Sequence, residues 1–377
     1  MKDNMMLKGT GVIPLTPEME KELNRKGKLL HGKFKENLIA PLVAVSQIDL
    51  SPQFPPVRDQ GPFETCVAFA TAAILDYWDG VLSGRGANTM VRSPLHMYYD
   101  KKADSGMVIT AAFDNADKRG CCAEVERPYS KSDESQFSKP ITKKQEMSGL
   151  FAKNNVSPII KPFSQNTKED KIAELKELLS RGIPILVSID TLPSFRNPDA
   201  NGIITPKPGE SGGGHAIVLV GFDDQTGLFK FRNSWGTDYG IGGYGYVRYM
   251  DIFAYSYNGF YFFTSTNYRP YIPGNNLVTP FYAPSDSSVV SLGEGLKKYQ
   301  YRFIKFAATR SGVHTFKANY NNTLLAVMSE DYATTITKQT AQQVKATLSA
   351  GQTVYIEVYN NASLTRNDGA VTFSLGN

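Results

Sequence analysis

The sequence predicts an α+β chain: a stretch with a long helix and a stretch rich in strands, followed by an antiparallel β-sandwich. Three observations predict it. After Cys66, the residues Val67, Ala70, Ala73, Ile74, Tyr77 and Trp78 recur at helical spacing. Two apolar runs, 212–222 and 228–236, flank the turn residues 223–227 and read as an antiparallel hairpin. Past Tyr268 the composition shifts to linker chemistry over 269–276 and then to short alternating runs, the pattern of a sandwich. At 377 residues with 41% hydrophobic content, the chain exceeds the usual single domain and can fill two cores.

Along the chain, Thr16 and Pro17 start a helix that carries Met19, Leu23 and Leu30 and stops before Gly32. Thr65 reads as the N-cap of a helix opening at Cys66, and Asp79-Gly80 as its end. A thiol in the first turn sits near unsatisfied N–H groups and the positive end of the helix dipole, which favours thiolate; the bland alternative is a small buried Cys on a core helix. His96 lies among apolar neighbours and reads as a packed side chain. Three cysteines cannot build a disulfide framework, and a bridge between the adjacent Cys121 and Cys122 would be strained, so two buried thiols are expected. Thr167 begins a capping-box helix with Ile172, Leu175, Leu178 and Leu179 on one face; Gly182 and Pro184 stop it, and a strand follows over 185–189. A polar, Pro- and Gly-rich loop then leads to His215.

In the C-terminal region Tyr299, Tyr301, Phe303, then Val354, Ile356, Val358, then Val371, Phe373, Leu375 alternate. With turns at 321–322, 350–351 and 367–369 they suggest seven or eight strands. The aromatic residues read as core and His314 as surface or strand edge.

The chemistry gathers around the hairpin. His215 and Asn233 are equidistant from residue 224 in the turn, so they should be neighbours within a residue or two of register. An Asn carbonyl can fix one imidazole nitrogen and leave the other to face a thiol. Gln60 stands six residues before Cys66, His215 lies in a Gly-His-Ala strand, and Asn233 opens Asn-Ser-Trp-Gly; the order Cys, His, Asn is kept with 149 residues between the first two. On these motifs the chain resembles the papain-family (C1) cysteine peptidases of bacterial secreted type. The resemblance implies a papain-like fold whose cleft lies between a helical lobe, about 47–160, and a β-rich lobe, about 161–268. It implies Cys66 as nucleophile, His215 as base and later acid, and Asn233 as the orienter of His215. It also implies an oxyanion hole from the Gln60 side chain and the Cys66 amide, with Trp235 shielding the His–Asn hydrogen bond. One departure stands out: 63–67 reads Phe-Glu-Thr-Cys-Val where the family has Cys-Gly-Ser-Cys-Trp, so the family's first disulfide is missing. The Glu64 carboxylate would oppose a neighbouring thiolate unless it points to solvent or to a basic substrate side chain.

The same resemblance makes 1–46 a short inhibitory propeptide, the alternative being a structural arm. It makes 47–268 the peptidase domain, 269–285 a linker and 286–377 a module similar to pre-peptidase C-terminal domains, binding a protein or glycan surface. Charge and motifs narrow the rest. A net charge of +5 without basic clusters interleaved with aromatics argues against a nucleic-acid partner. No apolar run approaches the ~20 residues of a membrane span, and no signal-peptide core is present, so a secreted protein is expected here without its leader. No His-x-x-x-His or Cys-x-x-Cys pair occurs, and neither metal nor cofactor is expected. The G-x-S-x-G over 209–213 and the G-x-G-x-x-G over 240–245 are each followed by a strand where their motifs need a helix, and both read as flexible loops. The expected function is endopeptidase hydrolysis of protein or peptide substrates by a Cys-His-Asn mechanism, from a self-inhibited precursor. The alternatives are amidase- or transglutaminase-type acyl transfer on the same fold, or a non-catalytic binding protein.

Overall fold

The helix opening at Cys66 runs Cys66–Ser83 in the computed structural model, which describes residues 8–16, 18, 19, 21, 45–152, 167–262, 280–292, 301–332, 334–340, 342–361 and 369–376. It is one turn longer than Asp79-Gly80 suggested. Asp79 is spent on an ion pair with the buried Arg92. Gly80 is a contact point, since a Cβ there would lie 2.2 Å from the Gly86 carbonyl oxygen. The stop is Gly84, at φ +70°, a conformation that costs glycine nothing. Thr65 precedes the helix without a side-chain cap; its hydroxyl meets Tyr129 Oη at 3.0 Å. All residues from 66 to 77 are buried, not only one stripe. The reason is that apolar residues of β-strands and of the helices Pro94–Met97 and Ile109–Lys118 share a single core with it.

Seven strands form the sheet of this unit: β1 (Gln47–Asp49), β2 (Ile185–Asp190), β3 (Ile203–Ile204), β4 (Gly214–Asp223), β5 (Leu228–Arg232), β6 (Tyr244–Arg248) and β7 (Ser256–Phe262). Their order is β3-β6-β5-β4-β2-β7, with β1 beside the far end of β4. Central β4 is buried from His215 to Phe222, which is why it reads as an unbroken apolar run. The β4–β5 register pairs Val218 with Arg232 and, after a bulge near Gly221, Phe222 with Phe229. That is two to three residues from the expected register, and β5 ends before Asn233. The capping box is present, with Thr167 and Asp170 exchanging hydrogen bonds at the start of Lys168–Ser180, which buries Leu175, Leu178 and Leu179. Thr16 Oγ1 accepts the Met19 amide at 3.3 Å; Leu23 and Leu30 lie outside the described residues.

By contacts the chain divides into two units, Met1–Pro140 with Lys153–Pro270, and Ile141–Ala152 with Tyr271–Asn377. The second holds a five-stranded and a four-stranded sheet, built from β8 (Phe281–Ala283), β9 (Val289–Ser291), β10 (Tyr301–Ala307), β11 (Gly312–Ala318), β12 (Thr323–Ser329), β13 (Thr335–Thr340), β14 (Gln343–Leu348), β15 (Thr353–Asn360) and β16 (Ala370–Leu375). Strand count among the described residues exceeds expectation through the three-residue β8 and β9, and β8 pairs parallel with β10. Val354, Ile356, Val358, Val371 and Phe373 fill its core. Phe303, Tyr332 and Tyr355 form a second cluster with Tyr301 and Met147 against it. Met147 comes from the helix Lys143–Ala152, which sequence reasoning missed, and Lys144 Nζ donates to Tyr355 Oη at 3.1 Å. His314 is buried, not at the surface: its Nε2 lies 3.1 Å from Asp286 Oδ1 and its Nδ1 3.2 Å from the Gly312 carbonyl oxygen. Tyr299, Asn367 and Asp368 lie outside the described residues.

Candidate active site

Gln60 is fixed by every polar atom it has. Its amide N–H donates to the Ser234 carbonyl (2.9 Å) and its carbonyl accepts from Tyr129 Oη (2.7 Å). Its Oε1 accepts from Ser234 Oγ (2.6 Å), and its Nε2 donates to the carbonyls of Phe63 (2.8 Å) and Gly9 (3.2 Å). The tight path to Cys66 depends on Gly61, at φ +64°, where a Cβ would lie 2.5 Å from the Lys131 carbonyl oxygen. Cys66 then opens its helix fully buried, with the backbone amides of Ala216, Val67 and Cys66 itself near enough to favour its thiolate against the burial. The nearness of the Ala216 amide sets the thiol beside the residue next to His215, without a hydrogen bond to His215 Nδ1.

His215 and Asn233 meet although the ladder does not pair them. His215 pairs with Ile189 on β2. Asn233, past the end of β5, donates its amide N–H to the Gly243 carbonyl (3.0 Å). Asn233 Oδ1 lies 2.8 Å from His215 Nε2 and also accepts the Ser234 amide at 2.8 Å. The Asn oxygen therefore faces the ring and Nε2 carries the hydrogen, which leaves His215 Nδ1 as the acceptor; Nδ1 is buried and makes no hydrogen bond. The Trp235 ring is 4.7 Å from the imidazole, centroid to centroid, at 35°. Thus the five predicted residues Cys66, His215, Asn233, Gln60 and Trp235 converge.

Phe195 and Arg196, on the short helix Pro193–Arg196, were not foreseen. Phe195 is fully buried and packs edge-on against His215 and Trp235, and the Arg196 guanidinium lies 5.2 Å from the Trp235 ring centre. Their only trace in the sequence is an aromatic-basic pair inside a loop of turn residues. Both rejected Gly motifs start in turns, with residues 209, 211–213, 241 and 242 exposed. Glu210 accepts hydrogen bonds from Ser194 that hold this short helix. A Cβ on Gly243 would lie 2.6 Å from Val57, so the turn that receives the Asn233 amide needs glycine.

The chain's own N-terminal segment lies across these residues. The Gly9 carbonyl accepts from Gln60 Nε2 and from Trp235 Nε1 (3.3 Å), and the Gly9 amide donates to Gly61 (3.0 Å). Gly11 and Val12 both donate to the Gly214 carbonyl (2.8 and 3.0 Å), and Gly11 accepts from Met107 (2.7 Å). Lys8 pairs with Asp59 at 2.5 Å. Residues 8–13 therefore bridge the loop before Cys66 and the start of β4. Burial pushes the Cys66 thiol up to about 12, with the Glu64 charge adding to it. Burial, and secondarily the Arg196 charge, brings His215 down to about 3 against the hydrogen bond that His215 donates to Asn233. Burial thus disfavours the charged form of both groups. Glu64 is half-buried beside Gly11, and its own carboxyl is raised by burial and by Asp104. Cys121 and Cys122 are free and buried. Among the described residues no three His, Cys, Asp or Glu side chains are grouped to hold a metal, and no helix is long and apolar enough to cross a membrane.

Comparison with known proteins gives a consistent result. The model of the papain family cysteine proteases matches residues 46–252. An uncharacterised peptidase C1-like protein of Acanthamoeba polyphaga mimivirus is 29% identical over 228 residues, 57% of this chain and 71% of that protein. Cathepsin K of Gallus gallus is 29% identical over 196 residues, 50% of this chain and 54% of its own length. Among solved structures, xylellain, a cysteine protease from Xylella fastidiosa, superposes with a TM-score of 0.54 at 24% identity, covering 69% of this chain and 97% of xylellain, a likeness of fold.

Proposed function

The chain belongs to the papain family of cysteine proteases and is a cysteine-type hydrolase, and from that premise we propose an endopeptidase in which Cys66, His215 and Asn233 are the catalytic residues, held as a precursor by its own N-terminal segment. Once the cleft is open, the Cys66 proton passes to His215 Nδ1 and the thiolate attacks the substrate carbonyl, forming a C–S bond. The oxyanion is received by Gln60 Nε2 and the Cys66 amide, a first-turn N–H without an intrahelical partner. His215 returns its proton to the departing amine as the C–N bond breaks, then takes one from the water that releases the acyl group. Asn233 holds the imidazole in the required tautomer, and Trp235 keeps water from that hydrogen bond.

One observation supports both halves of this proposal. A main-chain carbonyl, that of Gly9, is already held by the Gln60 amide, in a cleft that takes a continuous stretch of chain over 8–13. The site thus accepts peptide, and the peptide present occupies the donor reserved for the oxyanion. A chain starting at Gln47 should hydrolyse a denatured protein substrate and label at Cys66 with an epoxide, whereas the intact chain should do neither until proteolysed. Equal activity of the two would remove the inhibitory role; labelling without hydrolysis would move the reading to acyl transfer. We further propose a secreted protein, with the peptidase domain spanning 47–268 and the sandwich of 286–377 serving as an accessory module for a protein or glycan surface. Retention on insoluble substrate that is unchanged by removing 286–377 would count against that last role.

A further inference from the structure

Behind Asn233 lies a small cavity between the Cys66 helix and β4, with space for about one water-sized sphere. Its polar lining is Arg58, Arg232, Asn233 and Ser234; the rest is apolar, from Phe69 and alanines of the helix and from β4. We propose that this cavity binds one small monovalent anion of the chloride class, received by Asn233 Nδ2 and the two guanidinium groups. Asn233 is 3% exposed, and its Nδ2 has no hydrogen-bond partner. The amide cannot be turned round to relieve this, because Oδ1 is fixed by His215 and by the Ser234 amide. A buried donor left unmade is unfavourable, and since Asn233 lines the cavity an acceptor held there would relieve it.

The lining selects what that is. A water would bring two hydrogens that need acceptors, yet apart from the Ser234 Oγ lone pairs the polar side chains converging here are donors. Ser234 Oγ, the one hydroxyl, already gives its hydrogen to Gln60. Arg232 is 5% exposed and spends N–H groups on Tyr244 Oη (2.9 Å) and the Pro56 carbonyl (2.7 Å), leaving others of its five free. Among the described residues it has no ion pair, whereas Arg58 is paired with Asp76 and Glu124 and Arg92 with Asp79. The Asp76 carboxylate is committed to Arg58 and to the Arg92 amide. A buried guanidinium without a counter-charge is costly, and an anion in this cavity supplies one. It also anchors the amide whose other end orients His215.

The test uses crystals of the full chain, grown without halide and soaked in millimolar bromide. The expected result is one bromine anomalous peak within hydrogen-bonding distance of Asn233 Nδ2 and both guanidiniums. A water with no anomalous signal, or a peak only at molar bromide, overturns the proposal. In solution at fixed ionic strength, Tm should rise by several degrees and saturate when chloride replaces acetate, which is too large for the cavity. Equal Tm in the two salts also overturns it. Arg232→Met should abolish peak and salt dependence; if it does not fold, Arg232→Lys, which loses the planar fork, should weaken the chloride midpoint at least several-fold. Neither readout involves peptide hydrolysis, so the outcome is separate from that of the proposed peptidase.

Discussion

Replacing Gly9 by Val should open the cleft without removing a residue. A Cβ at position 9 would lie 2.0 Å from the Phe63 carbonyl oxygen and 2.6 Å from that of Pro62, both rigid backbone, so the segment cannot keep its place. Leaving costs the three hydrogen bonds of Gly9: its amide to Gly61, and its carbonyl from Gln60 and Trp235. At about 1 kcal/mol net each this is about 3 kcal/mol, on the order of a 100-fold rise in the open fraction. The assay is the rate of Cys66 alkylation by an epoxide on intact chains, checked by mass spectrometry for the absence of cleavage. Gly9→Val should label about 100-fold faster than the unaltered chain. Lys8→Ala should change the rate by less than about tenfold, because its ion pair is partly exposed and Asp59 keeps Lys131. Equal rates for Gly9→Val and the unaltered intact chain would show that residues 8–13 do not control access to the sulfur.

In the chain starting at Gln47, Gln60→Ala should lower kcat by about 10²–10³ and Cys66→Ala should abolish turnover; a Gln60→Ala enzyme of near-normal kcat would remove that side chain from the oxyanion hole. The intact chain should also open as pH falls. Burial depresses His215 to about 3 from an ordinary value of about 6.5, so opening takes up a proton and is favoured up to ~tenfold per pH unit below about 6.5. Amide exchange at Gly11 and Val12, corrected for intrinsic rates, should report this; protection unchanged from pH 6.5 to 4 would contradict it. In the sandwich, the buried Asp286 carboxylate accepts from the Thr309 amide (3.0 Å) and hydroxyl and from His314. Asp286→Ala should therefore destabilise this unit by about 2–4 kcal/mol, read as faster exchange in β10 and β11; a loss below about 1 kcal/mol would mean the cluster is solvated.

Much of the site was legible because its residues are local to their elements. A thiol at a helix start, an imidazole in a strand and an amide just past the return strand are positions that spacing alone can read. So are the capping box at Thr167 and the alternation that buries Val354, Ile356 and Val358. The helix running on past Asp79 and the burial of His314 were not, since each involves a partner further along the chain: Arg92 for Asp79, and Asp286 for His314. Motif order was enough to point to the family. Only the tertiary structure decided the state of Cys66 and His215. Pairing the Gly9 carbonyl with Gln60 and Trp235 brings together positions more than fifty residues apart, and burying Cys66 and His215 disfavours the charged form of each. Protonation follows from solvent access, and solvent access is a property of the packed chain.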